Sequence, residues 1–93
     1  MDPTAQHRHL FRQLDHDISR FLELVSGTQD IAKINIQLEK LLKNAHAVEE
    51  QALIQDLKTL QADWGQFARR PSTSHLSKIQ QDALRIKHEI REL

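Results

Sequence analysis

Histidine is the residue of this chain best suited to chemistry, and six are present. His7 and His9 lie near the N-terminus, and His16 follows His9 by seven residues, which would place both on one face of a helix. Imidazole nitrogens bind zinc, but a zinc site needs three or four converging ligands. A metal- or pH-responsive bundle that uses His7, His9 and His16 is therefore one hypothesis. The alternative, which we expect, is solvated histidines with no metal and no cofactor.

Nucleophilic catalysis has weaker candidates. Ser72, Ser74 and His75 are neighbours in sequence, but adjacency is not the geometry of a catalytic triad, and helix capping explains the serines better. Glu49 and Glu50 fit a polar helix face. The chain has no glycine-rich phosphate loop, and its lack of cysteine excludes a thiol nucleophile, a disulfide and a thiolate metal site. We therefore expect no enzymatic activity.

Length and charge restrict the class of protein further. The 93 residues suit one domain, 1–93, and 13 basic against 13 acidic residues give a net charge of zero. A nucleic-acid-binding protein usually has a basic excess, so we expect no nucleic-acid partner. No apolar run reaches the length of about 18 residues that spans a membrane, so we expect no direct membrane insertion. The composition predicts a helix-rich, cytoplasmic domain.

Two short breaks divide the chain. Residues 26–28 contain one glycine, and residues 70–74 contain one proline among serine and threonine. The rest is rich in helix formers, and no stretch alternates between apolar and polar residues as a strand would. We predict three helices, at about 3–25, 29–68 and 73–93.

Apolar residues recur at steps of three and four in each predicted helix. In the first helix the stripe is Phe11, Leu14, Ile18, Phe21 and Val25. In the third it is Leu76, Ile79, Ala83, Ile86 and Ile90. The second helix carries two stripes that do not coincide at about 100° per residue. It is either one long helix packed against different neighbours or a helix with a bend near residues 44–50.

The ends of the first two helices have recognisable signals. Asp2 can cap the first helix, and Gly27 is expected to end it in the left-handed conformation. Thr28 is expected to cap the second helix, with Asp30 in its first turn.

Three amphipathic helices pack most simply as an antiparallel up-down-up three-helix bundle with a long central helix. The central helix would exceed about 50 Å, against about 35 Å for its neighbours, at 1.5 Å per residue. Part of it would then contact only one neighbour, and a further partner would fit there.

Apolar residues off the stripes indicate where a partner could bind. Ile36 and Ile54 are about five helical turns apart, so on one continuous helix they point the same way, roughly opposite the main stripe. Leu84 is similarly placed on the third helix. We predict a partner-binding surface with lysines at its rim. Its residues are Ile36, Ile54, Leu84, Lys40, Lys43 and Lys87.

Four segments resemble one known family. They are residues 21–30, with glycine and threonine at the break; the amphipathic run 34–41; the break 71–74; and the helix opening 78–84. Together they resemble the N-terminal regulatory domain of endosomal and vacuolar syntaxins, the Habc domain. Ser26 departs from the pattern, since the family usually has leucine there.

The resemblance implies a three-helix regulatory domain of a SNARE-type vesicle-trafficking protein at the cytosolic face of endosomal membranes. Its partner would be an amphipathic SNARE helix or a SNARE regulator. Syntaxins continue into a SNARE coiled-coil segment and a membrane anchor, so this chain would be an excised N-terminal domain. The alternative from the residues alone is a small self-assembling helical protein, or a secretion or assembly chaperone, in which the long helix pairs with its copy in a homodimer.

Overall fold

The computed structural model describes the backbone of residues 3–27 and 30–92, and the side chains of 8–27 and 30–92. This part of the chain is all helical. The four helices are α1 (Pro3–Ser26), α2 (Ile31–Val48), α3 (Gln51–Arg69) and α4 (Thr73–Glu92). The all-α prediction is confirmed, and the first and third predicted helices match α1 and α4. The predicted long central helix is wrong, because α2 and α3 are separate helices.

The chain folds up, down, up and down into four antiparallel helices. The turn between α2 and α3 brings Trp64 beside Asn35, so that the indole Nε1 donates a 2.8 Å hydrogen bond to the amide oxygen. On a continuous helix these residues would be roughly 43 Å apart. Both α2 and α4 pack against α1 and α3 but not against each other, which places α2 and α4 at opposite corners. The bundle measures 47 × 21 × 17 Å between Cα atoms.

Two residues, Glu49 and Glu50, make the turn between α2 and α3. Glu49 has φ 58° and ψ 28°, the left-handed conformation, and Glu50 is extended. A left-handed residue with a Cβ costs roughly 1 kcal/mol or more. Folding back buries the apolar stripes of both helices in one core, and each buried Leu or Ile contributes about 1.5–3 kcal/mol. Burial therefore outweighs the local strain, and the chain reverses direction at residues 49–50, which is neither the continuous helix nor the bend that the sequence suggested.

One core runs along the bundle axis. The predicted stripe of α1 is buried except for Phe11, which is partly buried against the core. The fully buried side chains of greatest volume are Leu14, Ile18, Phe21, Ile34, Leu38, Leu41, Leu53, Leu57, Leu60, Ile79 and Ile86. Four helices supply this core, so the chain itself provides the extra partner that the sequence left open. The stretch of central helix expected to contact only one neighbour does not exist.

The helix ends differ in part from expectation. Asp30 is the N-cap of α2, because its Oδ1 accepts from the Lys33 amide at 3.2 Å. Gly27 is not left-handed; its amide donates to the Glu23 carbonyl at 2.9 Å and extends the helical pattern. Ser72 Oγ accepts from the His75 amide at 3.2 Å, which confirms a capping serine at α4. The expected caps at residues 2 and 28 lie outside the described residues.

Candidate functional site

One face of α2 combines an exposed apolar side chain with an excess of positive charge. Ile34 points into the core, so a residue two positions later points away from it, and Ile36 is 53% exposed. Lys33, Lys40 and Lys43 lie three, four and seven residues from Ile36 and share its side of the helix. We call these four residues the α2 outer face.

The α2 outer face has a net positive charge, because its three lysines outnumber exposed Glu39, which lies on the same side of the helix. All three lysines are exposed, and none forms an ion pair within the described ranges 3–27 and 30–92. Three of the four Lys and Arg residues of α4 differ, because Lys78, Arg85 and Arg91 each pair with a carboxylate on another helix. Lys87 forms no ion pair with the described residues. An isoleucine flanked by free lysines can receive an apolar side chain bordered by carboxylates.

Ile54 does not belong to this surface, and the prediction that it is exposed is wrong. It is 4% exposed and lies in the core. The prediction assumed that Ile36 and Ile54 share one continuous helix. The break at Glu49 ends that helical phase and reverses the chain direction, so the side of α3 that carries Ile54 faces inward.

Leu84 and Lys87 are on a different surface from Ile36. Leu84 is 57% exposed, and Lys87 is half-buried one turn later on α4. Since α2 and α4 occupy opposite corners, their outer faces point away from each other. The structure therefore brings together Ile36, Lys40 and Lys43 of the predicted partner-binding set and separates Leu84 and Lys87 from them.

The described residues show no histidine cluster that supports the hypothesis of a metal-responsive bundle. His9 and His16 are exposed on α1, and the side chain of His7 lies outside the described residues. Among the residues whose side chains are described, no group of three His, Asp or Glu is arranged to hold a metal ion.

A buried carboxylate positions α2 against α1. Asp17 is 3% exposed and accepts hydrogen bonds from three side-chain amides at 3.0–3.1 Å, those of Gln13 on its own helix and of Gln37 and Asn44 on α2. The Gln37 amide also reaches the Asp17 carbonyl oxygen at 3.3 Å. These bonds set the rotation of α2 about its axis and thereby direct Ile36 outward.

The seam between α3 and α4 holds a pair of buried acids, Asp63 and Asp82, which are 8% and 7% exposed. Burial, and a hydrogen bond and charge repulsion from Asp63, raise the pKa of Asp82 to about 6. One carboxyl oxygen of each acid, Asp63 Oδ2 and Asp82 Oδ2, has no hydrogen-bond donor among the described residues. Lys78 Nζ lies 3.4 Å from Asp63 at the rim.

A second acid pair lies one heptad along the same seam. Burial, and a hydrogen bond and repulsion from Asp56, raise the pKa of Glu89 to about 7, and Glu92 adds to the repulsion. Arg85 lies between the two pairs, 4.0 Å from Asp56 and 3.6 Å from Asp82, and opposes both shifts. The seam therefore brings four acidic side chains, Asp56, Asp63, Asp82 and Glu89, beside two cations, Lys78 and Arg85.

Sequence reasoning missed the seam residues, although the pattern contains a signal for them. Each follows a buried Leu or Ile by three residues, a position at the edge of an apolar stripe. The set is Asp17, Gln37, Asn44, Asp56, Asp63, Asp82 and Glu89. The pattern predicts that they flank the core, but it does not specify which residues on other helices they meet.

No helix among the described residues is both long enough and apolar enough to cross a membrane. No family model, no curated protein and no solved structure matches the chain.

Proposed function

We propose that this chain is a non-enzymatic protein-interaction module that binds an acidic amphipathic helix on the α2 outer face. The observation that carries the proposal is the position of Ile36, half exposed among three lysines that have no ion-pair partner among the described residues. An amphipathic helix would bury an apolar side chain against Ile36 and place carboxylates beside the lysines.

The expected complex is weak and sensitive to salt. Covering one isoleucine contributes at most about 1.5–3 kcal/mol, and exposed ion pairs add about 0.2–1 kcal/mol each. These terms sum to at most about 6 kcal/mol before the cost of association, so we expect a dissociation constant in the millimolar range for these contacts alone. Because the lysines are exposed, a tenfold rise in ionic strength should reduce the affinity.

The syntaxin resemblance supplies a proposed class of partner. On this proposal the helix is a SNARE coiled-coil segment or part of a SNARE regulator, and the module controls SNARE assembly at the cytosolic face of endosomal membranes. The resemblance of residues 21–41 and 71–84 supports this class, and the charge and shape of the α2 outer face support an acidic helix in general.

Fluorescence polarisation with two labelled helical peptides tests the proposal. One peptide has a leucine stripe bordered by glutamate, and the other has the same stripe bordered by lysine. We expect the glutamate peptide to bind at least tenfold more tightly. The double variant Lys40→Glu with Lys43→Glu should reverse that preference, because it inverts the charge around Ile36.

Matched controls separate the α2 outer face from other surfaces. Ile36→Asp should abolish binding of the glutamate peptide, whereas Leu84→Asp, the equivalent change at the opposite corner, should leave it unchanged. Equal binding of the two peptides, or equal loss in both aspartate variants, would contradict the proposal. Tighter binding of a SNARE heptad peptide than of an unrelated peptide with the same charge would support the proposed partner class.

A further inference from the structure

The connection between α2 and α3 contains neither the glycine nor the proline that occurs in the other two connections. The α1–α2 connection contains Gly27, and the α3–α4 connection contains Pro71. Residues 44–57, which surround the α2–α3 turn, contain neither glycine nor proline. Their composition favours a helix that continues through the turn.

The turn itself is short, strained and weakly capped. Glu49 takes the left-handed conformation at φ 58°, the only positive φ of a non-glycine residue in the described chain. Glu50 occupies the N-cap of α3 but makes no side-chain capping hydrogen bond. A straight helix through these residues would relieve the left-handed strain and add backbone hydrogen bonds. The folded-back form therefore depends on the core and on the hydrogen bond from Trp64 to Asn35, and not on the residues of the turn.

We propose that the chain exchanges halves with a second copy of itself, through straightening of residues 49–50 into one continuous α2–α3 helix. In this dimer the α1–α2 half of one chain packs against the α3–α4 half of the other. The core contacts between α2 and α3 are the same in both forms, and the hydrogen bond from Trp64 to Asn35 forms between chains. Only the turn changes conformation, which is the condition for domain swapping.

The two apolar stripes support this arrangement. On one continuous helix the stripe of α3 is turned by roughly a third of a turn from that of α2, at 100° per residue. A helix packed along a single core cannot bury both stripes. In the exchanged dimer each half of the helix belongs to a different four-helix core, so the two stripes need not coincide. The α2 outer face points away from the core in both forms, so this inference is independent of the proposed function.

Variants at the turn test the proposal by sedimentation after refolding at 10 µM and at 1 mM protein. We expect dimer in the wild-type protein refolded at 1 mM. Gln51→Pro should reduce the association constant roughly a thousandfold or more, because proline suits the first residue of α3 but is excluded from a helix interior. Glu49→Gly should reduce it about tenfold or more, since glycine tolerates the left-handed conformation. Glu49→Thr should raise it, because β-branched residues disfavour that conformation.

Glu39→Gly is the matched control, an exposed glutamate inside α2 that is helical in both forms. If it lowers the dimer fraction as much as Glu49→Gly, the effect reflects helix propensity alone and contradicts the proposal. Wild-type and Glu49→Thr proteins that both remain monomeric at 1 mM would also overturn it.

A distance measurement distinguishes exchange from association through a surface. The chain has no cysteine, so Glu39→Cys with Gln61→Cys introduces two unique sites for nitroxide labels. The two sites lie on neighbouring antiparallel helices in the folded-back form and about 33 Å apart along a continuous helix. In dimers diluted with unlabelled chain, we expect electron–electron double resonance to give the long distance between labels at positions 39 and 61. A dimer that retains only the short distance would overturn the proposal.

Discussion

The α1–α2 and α3–α4 seams bury acidic residues by different means. Between α1 and α2, the Asp17 carboxylate is surrounded by neutral amides, which donate hydrogen bonds without adding charge. Between α3 and α4, Asp63 and Asp82 face each other, with Lys78 and Arg85 at the rim. Amide donors satisfy the carboxylate oxygens of Asp17, whereas burial and the facing Asp63 raise the pKa of Asp82. The hydrogen bonds of Asp17 therefore hold α1 and α2 together, whereas the paired acids between α3 and α4 make stability depend on pH.

The seams also explain why the outer surfaces differ. The acids of the α3–α4 seam attract the basic side chains of α4, so these cations form ion pairs between helices. Asp17 is bound by amides and buried, so it does not pair with the lysines of α2. Those lysines remain free on the α2 outer face, where a partner can use them.

The largest expected effect comes from the same substitution, isoleucine to aspartate, made at an exposed position of α2 and at a buried position of α3. Ile54→Asp places a carboxylate in the core and should lower the free energy of unfolding by about 4 kcal/mol or more, enough to unfold a small domain. Ile36→Asp should change it by less than about 0.5 kcal/mol, because the side chain is exposed. Urea titrations followed by circular dichroism measure both. A folded Ile54→Asp protein would show that α3 is not packed as described.

Removal of one acid from each seam should give unequal losses. Asp17→Ala leaves the amides of Gln37 and Asn44 without their acceptor, so we expect a loss of about 2–3 kcal/mol in the free energy of unfolding. Asp82→Asn removes a repelling charge and leaves an amide that can donate to Asp63, so we expect no loss of stability at pH 7, where ionised Asp82 opposes folding. Comparable losses from chemical denaturation at pH 7 would remove the distinction between the seams.

The acid pairs should make stability depend on pH in a defined direction. Folding raises the pKa of Asp82 from 3.8 to about 6 and that of Glu89 from 4.5 to about 7. The folded protein therefore binds protons more tightly than the unfolded chain. The resulting stabilisation is fully present below about pH 4 and is lost as the pH rises to about 7. Urea midpoints measured across this range should follow that trend.

The double variant Asp82→Asn with Glu89→Gln serves as the control for other titrating groups. The wild-type protein should lose stability relative to this variant as the pH rises from about 4 to 7, and the difference should be constant above about 8. Parallel pH profiles for the two proteins would mean that folding does not raise the pKa of Asp82 and Glu89.

The smallest expected loss concerns the hydrogen bond from Trp64 on α3 to Asn35 on α2. Asn35→Ala removes the acceptor of the Trp64 indole, and we expect a loss of about 1 kcal/mol. The fluorescence of the single tryptophan should change at the same time, because its Nε1 loses that partner. A stability loss without a spectral change would place the effect elsewhere on α2.

The pattern of residues predicted the helices but not their arrangement. Steps of three and four identified the stripes of α1 and α4, and Ser72 was among the expected caps of α4. For the candidate site, the pattern placed Ile36 off its stripe, and the structure shows it exposed. It misplaced Ile54, because a helical phase can be extrapolated only while the helix continues. No local signal marks Glu49 as the point where it stops.

Periodicity along the chain therefore determined that this protein is helical and which side chains, apart from Ile54, line its core. Those properties depend on local backbone geometry, which adjacent residues share. The tertiary structure alone decided the reversal at Glu49, the meeting of acid with amide in one seam and of acid with acid in the other, and the position of α2 and α4 at opposite corners. These depend on the joint burial of four stripes, an energy that no single segment carries.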